Sequence, residues 1–246
     1  MYDVFSLFDE RLFRRETPGA HSRVFERETR GAGPRNMPTQ DDYETARAVA
    51  LDTLAQLDID LCCIHAGLSL ERVSADKKRL PVPYLGSTYH LAVCGGKIAF
   101  DEDSHVLKIA DQVLLLHYLI TATGVPVKDQ WITFREVPSG SFYYPSFVKR
   151  AITPLVTSLG QRPEVLEKVG GVIGEVVSLP GDRALKILVL PRVPVVLSLW
   201  KGDEEFPPEG NVYFDASISS YLPTEDIAYL AGAVVYKVIG MARNMC

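Results

Sequence analysis

At 246 residues, 47% hydrophobic and 23% charged, the chain has the composition of an ordinary globular protein and is long enough to bury a substantial core. A net charge of -5 gives no general reason to bind nucleic acid, which needs a concentrated basic face, and no run approaches the roughly 18 apolar residues of a membrane span. Four cysteines, Cys62, Cys63, Cys94 and Cys246, form no C-x-x-C pair and are too few for a disulfide scaffold, so reduced thiols are expected.

The first residues carry Asp3, Asp9 and Glu10 where a signal peptide needs a basic start, and the expected setting is cytoplasmic. Residues 1–38 differ in texture from the rest. Seven arginines (Arg11, Arg14, Arg15, Arg23, Arg27, Arg30, Arg35) alternate with acids, and the glycine-proline pieces Thr17-Pro18-Gly19 and Gly31-Ala32-Gly33-Pro34 interrupt them. We read 1–38 as an N-terminal arm, packing on its own domain or on a second subunit, or docking to a partner protein. Residues 39–246 are then one α+β domain with a mixed, largely antiparallel sheet packed with helices.

Thr39 followed by Gln40, Asp41 and Asp42 predicts a helix start, with Tyr43, Ala46, Ala50, Leu54 and Leu57 as its core face. A short helix is expected around Leu61–His65, closing at Gly67. Cys62 and His65 share its face, yet two ligands make no metal site. Residues 84–94 and 97–100 around Gly95-Gly96 predict a hairpin in which Val93 faces Ile98 and Leu91 faces Phe100, with Tyr84, His90 and Cys94 on the solvent side. A helix capped by Ser104 should run to about Thr123. Its leucines are apolar nearly all round, which places His117 in a desolvated interior, neutral unless a carboxylate compensates.

Residues 130–137 alternate like a strand, with Trp131 and Arg135 on one face. Tyr143 and Tyr144 follow at the head of an amphipathic helix. A guanidinium close to indole and phenol rings suits a planar ligand with acidic or amide groups, although it also suits an ordinary amphipathic sheet face. Pro163 to about Val169 reads as a short helix that Gly170-Gly171 ends. Residues 184–190 and 195–200, apolar at nearly every position, predict central antiparallel strands covered on both faces. The second ends at Trp200 in an acidic corner, Asp203-Glu204-Glu205. Another short strand stops at Asp215, and Thr224 is the expected cap of the last helix, with Glu225 and Asp226 in its first turn.

Asp203, Glu205 and Asp215 offer oxygen ligands for a divalent cation, although the EF-hand spacing and H-E-x-x-H are both absent. C-x-x-C-H for covalent haem and G-x-S-x-G for a nucleophile elbow are also absent.

Several motifs in one order carry a family likeness: residues 131–138 (WITFREVP), 142–145 (FYYP), 190–194 (LPRVP), Trp200 with 202–207 (GDEEFP), and 213–215 (YFD). Over residues 39–240 the chain resembles domain of unknown function 3786, an uncharacterised family found mainly in anaerobic bacteria and archaea. The resemblance implies a place in anaerobic metabolism. Some relatives carry a candidate iron-sulfur domain and some lie beside corrinoid-dependent methyl-transfer genes. It supplies no catalytic residues, and this chain lacks the cysteine-rich segment of such an iron-sulfur domain.

The leading expectation is therefore a protein that binds a small-molecule cofactor, a corrinoid or haem, noncovalently. Trp131, Arg135, Tyr143, Tyr144 and Trp200 would hold the ring, and His117 would be the axial ligand. The alternatives are a divalent-metal hydrolase or transferase built on Asp203, Glu205 and Asp215, and an assembly subunit acting through the arm, as a homo-oligomer or with a partner protein.

Overall fold

The computed structural model describes residues 40–101 and 107–245. The arm, the Thr39 cap and the Ser104 cap lie outside the described residues. Helix α1 (Gln40–Gln56) buries Ala46, Ala50 and Leu54, as its spacing predicts. Helix α2 (Ile59–Ala66) starts at Asp58, whose carboxylate accepts from the Leu61 amide, and ends at Gly67 with φ +70°.

Four antiparallel strands follow in spatial order β1 (Glu71–Arg72), β2 (Lys77–Tyr84), β3 (Ser87–Cys94) and β4 (Lys97–Phe100). Leu91 pairs with Phe100 and Val93 with Ile98, in the register expected for a two-residue Gly95-Gly96 turn. The expectation for Tyr84 fails because the chain turns at Leu85 (φ +50°) and Gly86 (φ +78°). Tyr84 thus belongs to β2, on the face of Leu80 and Val82, and is buried instead of facing solvent with His90 and Cys94.

Helix α3 (Ile109–Thr121) is buried at every position from Gln112 to Leu119. The strand expected over 130–137 stops after β5 (Trp131–Thr133). Phe134–Glu136 forms a 3₁₀ turn, boxed by the Thr133 amide and hydroxyl donating to Glu136. One helical run then passes through α4 (Gly140–Phe147), a π turn (Val148–Ile152) and α5 (Thr153–Leu159). Helix α6 (Val165–Ile173) runs through Gly170-Gly171 and ends only at Gly174, against the expected exit. Gly170 stays inside it because it lies against Leu185 and Val176, where a side chain would crowd the sheet.

The second sheet has the order β5-β9-β8-β7-β6, with β6 (Glu175–Val176), β7 (Arg183–Leu190), β8 (Val193–Trp200) and β9 (Glu209–Asp215), all antiparallel. Strand β8 is central and buried from Val193 to Leu199, as predicted. Strand β7 is covered less than expected: Leu188, on the opposite face from the buried Ile187 and Val189, is 59% exposed. On the inner face Val156 of α5 meets Gly210 of β9. Phe134, Phe147 and Phe214 weld the 3₁₀ turn, α4 and β9 together, the first two stacked with centroids 4.3 Å apart.

Helix α7 (Thr224–Asn244) packs against α4, the π turn, α5 and α6. Its N-cap is Pro223; Thr224 is the first helical residue, and its hydroxyl donates to the Pro138 carbonyl at 2.6 Å. The two sheets meet where the Leu85 amide donates to the Val189 carbonyl at 3.2 Å. At the 3₁₀ turn, a Cβ on Gly140 would overlap the Phe134 carbonyl oxygen. Gly140→Ala is expected to cost about 1–3 kcal/mol, measured as a lower urea midpoint with an unchanged slope.

A buried carboxylate and imidazole at the base of helix α7

Helix α3 carries His117 into the core at 3% exposure, where its Nδ1 lies 2.6 Å from Oδ2 of Asp226 in the first turn of α7. Burial alone pushes the imidazole pKa down. The charge and hydrogen bond of Asp226, helped by Glu225, outweigh that and hold it above the ordinary 6.5. The sequence expectation of a neutral core imidazole is thereby corrected through its own proviso, the compensating carboxylate.

A half-buried carboxylate, Asp111, lies on α3 with His117. Asp111 accepts from the Tyr84 hydroxyl at 2.8 Å and the Tyr229 hydroxyl at 3.0 Å, tying α3 to β2 and α7. Burial first and the Asp111 charge second push both phenols up, so they remain donors. Tyr43 of α1 is half-buried. Burial raises its pKa, Arg150 on the π turn opposes the rise, and Glu225, Asp226 and Asp42 add to it. Helices α3 and α7 are thus joined by two polar contacts, His117 with Asp226 and Asp111 with Tyr229.

The residues expected to cage a ring do not all meet. Arg135 is taken up by Tyr144, its guanidinium carbon 3.7 Å from the ring centroid. Tyr143 is half-buried with an edge contact to Phe142, and Tyr144 packs on Phe147. These three lie in the segment that α4 and the Thr224 to Pro138 hydrogen bond hold near the start of α7.

Trp131 pairs with Asp215, on the opposite sheet face from Ile132 and Phe214, and Lys186 stands 6.0 Å from its indole centroid. Trp200 pairs with Glu209, at the other end of β9 from Asp215. At roughly 3.4 Å per residue, the two tryptophans are separated by about 20 Å of strand.

The same ladder separates the carboxylates of the metal reading. Asp203 sits in an exposed turn, its Oδ1 accepting from the Glu205 and Phe206 amides, and Glu205 is exposed beside it. Asp215 is 1% exposed at the far end, where Oδ1 accepts from the Lys128 amide and from the amide and hydroxyl of Ser217. Burial pushes its carboxyl up, but these donors hold it below the usual range. Among the described residues no group of three or more His, Cys, Asp or Glu is placed to hold a metal ion. A surface cleft of about 260 Å³ between Glu167, Val176, Ser178, Leu179 and Arg183 contains none of the expected site residues.

Residues 65–237, more than half of the chain, match the family described as Domain of unknown function (DUF3786). The chain belongs to that family. No curated protein and no solved structure matches this DUF3786 chain. Among the described residues no helix is long and apolar enough to cross a membrane.

Sequence reasoning found His117 and missed its partner. Asp226 reads as a dipole-compensating acid, yet it also lies at i, i+4 and i+8 with Leu230 and Val234 on the buried stripe of α7. An acid on an apolar stripe was the available signal. Breaking a buried pair costs about 3–5 kcal/mol. The folded pKa of His117 is raised, so its contribution is complete below the ordinary 6.5 and is lost as pH rises through the folded value. Asp226→Ala should therefore destabilise DUF3786 by about 3 kcal/mol in urea titrations at low pH, and by clearly less in alkaline buffer.

Proposed function

We propose that this DUF3786 protein binds a tetrapyrrole noncovalently, a corrinoid or haem of anaerobic cofactor metabolism, with His117 as the axial ligand. The observation that carries the reading is the 2.6 Å contact between Nδ1 of His117 and Asp226. A carboxylate on one ring nitrogen fixes the imidazole's orientation and tautomer and makes the other nitrogen a better ligand; metal-binding histidines are commonly supported in this way. The bound cofactor would supply a metal centre with its own redox or group-transfer chemistry.

The chain's part is to orient the imidazole, shield it from water and place polar groups around the ring edge. Arg135, Tyr143 and Tyr144 are retained for that role, because α4 holds them near the start of α7. Trp131 and Trp200 drop out of the cage, and Asp203, Glu205 and Asp215 drop out as a joint metal site. Since His117 is 3% exposed, a ring that meets it must displace the groups covering it, and uptake should be slower than diffusion.

The test is absorbance titration of anaerobically purified full-length protein with haem and with cobalamin. A shifted Soret or corrin band that saturates at one equivalent, and that His117→Ala abolishes while circular dichroism stays unchanged, is the expected result. No spectral change with either cofactor, or an identical change in His117→Ala, overturns the proposal.

A further inference from the structure

We draw no further inference here: the strongest candidate, the surface cleft of about 260 Å³ between helix α6 and the loop that leads into β7, carries nothing because its facing charges, Glu167 and Arg183, are spent on bonding each other and nothing else in the structure shows what would fill it.

Discussion

A carboxylate removed from water has to be met by a counter-charge or by donors, and helix α7 buries one in its first turn. Asp226 is 8% exposed, and the imidazole of His117 meets it. The helix dipole favours the acid at that end, but the dipole alone does not replace lost hydration. Helix α3 is therefore fixed against α7 by a polar requirement as well as by its leucines. The same logic repeats along α3. Asp111 is met by Tyr84 and Tyr229, the Tyr118 hydroxyl donates to the Ala66 carbonyl at 2.6 Å, and the Thr121 hydroxyl donates to the Tyr221 carbonyl. These bonds specify where an otherwise uniformly apolar rod must sit, since apolar surface packs favourably in more than one register.

The five-stranded sheet explains why the acidic corner and the aromatic segment stay apart. The acidic corner leads into the start of β9, whereas the aromatic segment begins at β5, which pairs with the end of β9; the extended strand holds the two at its opposite ends. Asp215 also illustrates that a buried carboxylate need not serve a ligand. With the Lys128 amide and both donors of Ser217 on one oxygen, it organises the loop that leads into β5 and the turn that leaves β9.

Most of the element pattern was legible in the sequence because it follows from local periodicity. The α1 stripe, the Gly67 exit, the Gly95-Gly96 hairpin register and the all-round burial of α3 are each set by residues a few positions apart. Two misreadings lie at glycines, where one residue type serves turn and helix alike. Leu85-Gly86 turned where the flanking residues read as continuous strand, and Gly170 stayed inside a helix that packs it against Leu185 and Val176. The candidate site was half legible. His117 stood out on an apolar helix, whereas Asp226 lies 109 residues away and its charge had an ordinary explanation where it stood.

The strand lengths carry a consequence for how the molecule meets copies of itself. The larger sheet is bounded by β5, three residues long, and β6, two residues long; the smaller one is bounded by β1, two residues long, and by β4, which opens on Lys97. A stranger's backbone aligning along any of these borders would find only a few strand residues to pair with, and on one border a cation that resists desolvation. The apolar interiors of β7, β8 and β9 are thus kept from templating fibrils by the brevity of their flanking strands, a protection built into the topology itself.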